Sequence, residues 1–257
     1  MRCAAIPESF VRLYTLHHPM TPAPLHFFRE RLLLDPAGAL VWPEQHLLVI
    51  ADLHLEKGSA AARQGQLVPP WDTGLTLERL ARLIRRYQPR VLIALGDSFH
   101  DRGGAARMAH GEASRLAHMT SQTRFIWVLG NHDPVAQGVG GEWVETFQLG
   151  PLSFRHEADP AGPGDICGHH HPKATVPTRG ANLTRPCFVV DAKRIMLPAF
   201  GAYTGGLDVR DPAISALFPR GFRAFLLGQD RLFSFAMSGG PRRAPRRPPA
   251  SNPRVAP

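Results

Sequence analysis

Three apolar runs that each close on a particular set of polar residues constrain this chain more than any other feature. They are "HLLVIADLHL" at 46–55, "VLIALGD" at 91–97 and "RFIWVLGNHD" at 124–133. Runs this short and this apolar are strands buried on both faces. Between the first two lies "TGLTLERLARLIRRYQ" at 73–88, where Leu77, Leu80, Leu83, Ile84 and Tyr87 recur at helical spacing with arginines on the other face. Pro89 ends that helix. A weaker helical pattern covers 104–121. The order strand, helix, strand, helix, strand implies an α/β chain whose strands pair in parallel through right-handed crossovers. "ALVW" at 39–42 adds a further strand.

After this the character changes. Short strands with tight turns follow: "VETFQLG", "LSFRHEA", "DICGHHH", "CFVVDAKRIMLPAF", "AFLLGQD" and "RLFSFAM". "FVVDAKRIML" reads as a hairpin. This half is expected to pair largely antiparallel and to close a second sheet against the first. The expected organisation is a loose N-terminal extension at 1–24, one domain at 25–238, and a Pro/Arg-rich disordered tail at 239–257. Met20 is a second candidate start.

With 44% hydrophobic and 20% charged residues, the chain can form a core. Three cysteines, Cys3, Cys167 and Cys187, do not make a disulfide framework and fit a reducing, cytoplasmic setting. No apolar run approaches the roughly 18 residues of a membrane helix, so no membrane association is expected. The first 20 residues hold no continuous apolar stretch, which argues against a secretory leader. The formal charge is +9, and the segment 241–257 carries five arginines and no acid, so the remainder is only mildly basic. Attraction to a polyanion is one reading of that charge. The arginine-rich coding of a GC-rich genome is the other.

In an open parallel sheet, the carboxyl ends of neighbouring strands share one crevice. The three buried strands deliver Asp52 and His54, then Asp97, then Asn131, His132 and Asp133 to that edge. Taken singly, each has a plainer explanation: an Asp after a strand caps a turn, and a lone His satisfies a core hydrogen bond. Their joint occurrence, followed by "GHHH" at 168–171, is what capping does not explain. If that last segment is extended, His169 and His171 point one way and His170 the other. His169 and His171 are then the ligand candidates, and His156 in "SFRHEA" supplies one more imidazole. The set Asp52, His54, Asp97, Asn131, His156, His169 and His171 mixes oxygen and nitrogen donors without sulfur. It suits Mn²⁺, Fe²⁺ or Zn²⁺. Seven donors are too many for one such ion and enough for two, with Asp97 on the central strand as the natural bridge. Paired divalent ions are a device for hydrolysing phosphate esters.

"DLH", "GD", "GNHD", a lone His and "GHHH" together resemble, in order, the motif blocks of the calcineurin-like metallophosphoesterases, over residues 47–172. "GDSFHD" resembles the nuclease branch of that superfamily. "LVWPEQHLLVIADLHLEKG", "ICGHHHP" and "RPCFVVDAKRIMLPAFGAYTGGLDVRD" are similar to the bacterial ligase-associated DNA damage response endonuclease (PdeM) family. The resemblance implies a four-layer αββα sandwich, with two mixed central sheets flanked by helices. It implies one metal on Asp52, His54, Asp97 and His171, and a second on Asp97, Asn131, His156 and His169, most simply Mn²⁺. It implies that His132 faces the substrate and protonates the leaving oxygen or stabilises the phosphorane. Many relatives orient that histidine with an Asp three residues after the bridging Asp; here the position is His100. Asp133 is expected just outside the metal ligands. DNA is the implied substrate, and a DNA ligase and a helicase of one repair system are the implied partners.

Tyr203 in "GAYTGG" is a candidate for stacking on a base or sugar, and Arg185 for meeting phosphate. A plain turn and a solvated arginine are the alternatives. A phosphodiesterase of cyclic nucleotides or nucleotide conjugates shares the same chemistry. A non-enzymatic scaffold is disfavoured, because every ligand position is filled.

Overall fold

The computed structural model describes residues 20–133 and 139–238. The tail at 239–257 and most of the anticipated N-terminal extension lie outside the described residues. Seven strands form the first sheet in sequence order: β1 (Ala23–Phe27), β2 (Glu30–Leu34), β3 (Leu40–Trp42), β4 (Leu47–Ala51), β5 (Val91–Leu95), β6 (Arg124–Val128) and β7 (Glu142–Val144). The first four pair antiparallel, and β4 through β7 pair in parallel. The parallel block arises as expected, because the apolar runs are separated by helices that cross over one face.

Strand β4 shows why its sequence is continuous in apolar residues. Leu47, Val49 and Ala51 face the second sheet, whereas Leu48 and Ile50 face the helices, and all five are buried. Removing a side chain of this size from water contributes roughly 1.5–3 kcal/mol. The register is flush at the carboxyl edge, where Ala51 pairs with Leu95 and Leu95 with Val128. The residues that follow each strand therefore emerge along one line.

The helices on the outer face are α1 (Lys57–Arg63), α2 (Asp72–Tyr87), α3 (Gly104–Arg107) and α4 (His110–Gln122). Helix α2 buries Leu77, Leu80 and Leu83 and stops at Gln88, which takes a left-handed conformation ahead of Pro89. Its arginines do not all face water. Arg79 turns inward, donates to the Ala37 carbonyl at 2.8 Å and lies over the Phe200 ring. The single helix expected at 104–121 is split, with Met108 and Ala109 extended between α3 and α4. Arg107, the last residue of α3, is held in a bidentate pair with Asp101 at 2.8 and 2.9 Å.

The second sheet has the order β15 (Leu232–Met237), β14 (Phe222–Leu227), β12 (Asn182–Val190), β13 (Arg194–Met196), β10 (Asp165–Cys167), β9 (Leu152–Phe154), β8 (Phe147–Leu149), with β11 (Lys173–Pro177) paired to β12. Most pairs are antiparallel, including the β12–β13 hairpin. Strand β10 is the exception and runs parallel to both β9 and β13. The two sheets face each other across one apolar cluster that includes Trp42, Ile93, Phe154 and Phe188. The fourth layer is thin: helix α5 (Pro212–Ser215) with Val209 and Phe218 covers Cys187, Val189 and Met196.

The N-terminal boundary moves. Residues up to 24 were expected to be loose, but Thr21 bridges to Arg231 and β1 begins at Ala23. Pro22 and Pro24 suggested a break. An edge strand tolerates proline, because its outer amides have no ladder partner.

Candidate metal centre

The chain reaches the shared edge by a sequence of unusual backbone turns. Asp52, His54, Asp97, His169 and His171 all have positive φ, at 53°, 43°, 45°, 74° and 47°. Left-handed backbone in non-glycine residues costs on the order of 1 kcal/mol or more each and persists where the surroundings over-determine it. Those surroundings are visible. The His54 amide donates to the Asp97 carbonyl at 2.9 Å, and the His169 amide donates to both carboxylate oxygens of Asp52 at 3.2 and 3.0 Å. Two glycines permit the closeness. A Cβ on Gly168 would stand 2.7 Å from Asp52 Oδ2, and one on Gly96 would stand 2.2 Å from His156 Nδ1.

Six of the seven ligand candidates fall into two groups: Asp52, His54 and His171, and Asp97, His156 and His169, each with donor atoms within 4.8 Å of one another. In the first, His54 Nε2 and His171 Nε2 are 3.2 Å apart, and His171 Nε2 is 3.5 Å from Asp52 Oδ1. In the second, His156 Nε2 is 3.0 Å from His169 Nδ1 and 3.6 Å from Asp97 Oδ2. Asp97 Oδ2 also lies 3.9 Å from His54 Nε2, so it faces both groups. His156 Nδ1 is 3.2 Å from the Leu95 carbonyl, which with a proton on Nδ1 turns the Nε2 lone pair into the site.

Burial pushes the His54 imidazole down to about 3, aided by the neighbouring His171. Burial likewise lowers His169. Both are therefore neutral lone-pair donors near neutral pH, as cation binding requires. The donor chemistry fits divalent ions well: oxygens and imidazole nitrogens only, with lone pairs converging and His54 Nδ1 buried without a hydrogen bond.

Residues 46–191, more than half of the chain, match the family described as calcineurin-like phosphoesterase. The chain belongs to that family. It is similar to the solved structure of a Pseudomonas putida nuclease MPE at 29% identity and a TM-score of 0.67, covering 84% of this chain and all of that one. A second structure, the Escherichia coli phosphoesterase Yfce, aligns at 15% identity and a TM-score of 0.39 over 76% of this chain and 99% of that one. A search of curated protein sequences found no match. As a calcineurin-like phosphoesterase with two candidate metal groups, the protein is a metal-dependent hydrolase of phosphodiester bonds that uses two divalent cations.

The remaining candidates take different places. Asn131 is exposed at the rim, with Nδ2 donating to Glu157 Oε1 at 2.8 Å, so its carbonyl oxygen is the atom left for a cation. His132 is the open member: its side chain is 55% exposed, its Nε2 is 3.9 Å from Asp97 Oδ2, and its amide donates to Asp97 Oδ1 at 3.0 Å. The His100 ring stacks parallel to that of His132 at 6.4 Å. Asp133 is used differently from a catalytic group. Its carboxylate accepts the amides of Ser98, Phe99 and Gly130 at 2.8, 3.1 and 3.2 Å, tying the second strand end to the third.

The histidine run also needs a correction. Residues 168–172 are not extended, so strand alternation does not explain their directions. His169 and His171 part through their left-handed backbone, one to each group, while the His170 ring packs on His169 at 4.7 Å. The "GAYTGG" loop borders the site, since the Gly201 amide donates to the Asp52 carbonyl at 3.1 Å, and Tyr203 is 41% exposed upon it. Arg185 sits on the exposed part of β12, opposite Ala174.

Two residues were not singled out from sequence. Glu157 is 3.8 Å from His169 Nε2, and its carboxyl is held low chiefly by Asn131. Lys57 is close enough to depress both His54 and His100 by its charge. Its signal was there: it is one of only three lysines and directly follows "DLHLE".

Proposed function

We propose that this protein is a manganese-dependent endonuclease acting on DNA in a cytoplasmic repair system, of the ligase-associated damage-response kind. The observation that carries the reading is the convergence of two oxygen–nitrogen donor groups on Asp97 with one exposed histidine, His132, beside them. Similarity to a Pseudomonas putida nuclease and the formal charge of +9 favour a nucleic acid over a small ester. A DNA ligase and a helicase of the same system are the proposed partners.

Asp52, His54, Asp97 and His171 would hold one cation, and Asp97, Asn131, His156 and His169 the other. Bound there, the pair supplies Lewis acidity for activating water and offsetting phosphate charge. The protein's own residues do the rest. His132, exposed and next to the bridging carboxylate, offers a proton to the departing sugar oxygen. His100 lies beside it with its ring nearly parallel, the centroids 6.4 Å apart. Asp133 keeps the Asp97 and Asn131 turns in register by accepting three amides from them.

The test is a substrate panel with the Mn²⁺-loaded protein: single-stranded DNA, nicked DNA, 2′,3′-cyclic nucleotides and a chromogenic diester. Cleavage within DNA strands supports the reading. Turnover of cyclic nucleotides with intact DNA would replace it with a small-molecule phosphodiesterase.

A further inference from the structure

A cavity lies on the outer side of the second sheet. Its volume is about 570 Å³, and its walls include Lys193, Arg194, Arg220 and Arg223, with Leu217 and Phe222 as apolar surface. Arg194 is the unusual member. It is 98% buried, at 2% exposure, yet forms no ion pair among the described residues. Its Nη2 donates to the carbonyls of Asp159 and Pro160 at 2.9 and 3.3 Å, while Nε and Nη1 are buried without a hydrogen bond. Phe218 lies under the guanidinium at 5.8 Å.

A buried guanidinium without a countercharge is costly, and the usual remedy is a carboxylate. Among the described residues no carboxylate pairs with it at close range: Asp165, its register partner on β10, lies 3.0 Å from Arg155 Nε, and Asp165 and Asp159 feel the Arg194 charge only at longer distance. Asp191, the acid in the cavity wall, spends Oδ1 on the amides of Lys193 and Arg194, both at 2.8 Å. Lys193, Arg220 and Arg223 thus border an open volume whose floor includes the buried Arg194. That volume is in the range of small-ligand sites.

The cavity is separate from the metal centre. Arg194 opens β13 and pairs with Asp165, the first residue of β10, whereas the metal groups follow the last residue of β10. Arg194 also packs toward Phe218 on the outer face rather than between the sheets.

We propose that this cavity binds the phosphate of a mononucleotide-sized ligand, with Arg194 at its base and Arg220 and Arg223 at its rim. Guanidinium groups match phosphate oxygens in geometry and charge. The apolar wall of Leu217 and Phe222 takes the sugar or base. The phosphate comes from a free nucleotide or from the 5′ end of a strand.

Titration calorimetry with adenosine monophosphate tests this in the full chain, using Asp97→Ala as the background to silence the metal centre. One nucleotide per chain is expected, with adenosine alone not binding. Adding Arg220→Ala with Arg223→Ala should weaken binding about tenfold or more, and Arg194→Met should abolish it. In the otherwise wild-type protein, the rim pair should leave diester hydrolysis unchanged, which shows that the fold is intact. Oligonucleotides with a 5′-phosphate or a 5′-hydroxyl separate the two sources: preference for the phosphorylated strand identifies a strand end, and tighter binding of the monophosphate identifies a free nucleotide. No binding at millimolar nucleotide, equal binding of adenosine, or indifference to the rim substitutions overturns the proposal.

Discussion

The Nε2 atoms of His54 and His171 stand 3.2 Å apart, although 117 residues separate the two histidines in the chain. Two imidazole nitrogens facing each other in this way share either one proton or one cation. Burial holds His54 down to about 3, so it does not take a second proton near neutral pH. The pair is built to accept a cation, and the expected consequences can be measured.

Asp97 faces both donor groups, at 3.9 Å from His54 Nε2 and 3.6 Å from His156 Nε2. Asp97→Ala should release metal and lower turnover by more than about a hundredfold. Elemental analysis alongside a diester assay checks this. A variant that kept both ions would remove Asp97 as the bridge.

His132 is exposed and outside both groups. His132→Ala should keep its metal content and KM while kcat falls by roughly 10²–10⁴-fold. Loss of ions in this variant would mean that the ring is a ligand and not a proton donor.

Asp133 accepts three backbone amides. Asp133→Ala leaves those donors unpaired and should lower stability by about 2–4 kcal/mol, with Asp133→Asn falling in between. Urea unfolding of the metal-free protein reads this. A variant as stable as wild type would show that water replaces the carboxylate freely.

The depressed pKa of His54 sets a pH dependence. In the unfolded chain the imidazole binds a proton below its ordinary value of 6.5; in the folded chain it does so only near 3. The stabilisation is therefore complete above about 6.5 and is lost as pH falls toward 3. For metal-free protein, moving from pH 7 to pH 5 should remove about 1–2 kcal/mol through this group. His54→Asn should flatten that slope. Identical slopes in the two proteins would contradict the assignment.

The donors come from both sheets, Asp52, His54 and Asp97 from the first, and His156, His169 and His171 from the second. Chelation should therefore lower global stability, by about 4 kcal/mol where free Mn²⁺ had stood a thousandfold above its dissociation constant. Calorimetric melting with and without chelator measures it. An unchanged melting temperature would place the cations outside the structure that unfolds.

The sequence made the parallel block legible because "LLVIA", "VLIAL" and "FIWV" are apolar on both faces, and only a covered parallel sheet uses such runs. The histidine and aspartate positions followed from where those runs stop. What sequence could not supply was the path beyond each strand. Extended pairing rationalised His169 and His171, yet the actual turn is left-handed, because the His169 amide is drawn onto Asp52, a contact across 117 residues. Asp133 is expected just outside the metal ligands from its place after His132, but only the fold reveals that its carboxylate is spent on amides of two turns. Glu157 was hidden for the same reason, since its partner Asn131 is 26 residues away.

The five donor residues with positive φ carry one more implication, for how this edge of the molecule can change by mutation. Left-handed backbone is open to Asn, Asp, His and Gly and hostile to β-branched side chains. Replacing Asp52 or His171 by Val or Thr would strain the chain even in a descendant that no longer needed an ion. Substitution at this rim is filtered first by peptide geometry and only then by chemistry. A lineage that abandoned hydrolysis would still carry small polar residues there, as a fossil of the turn rather than of the reaction.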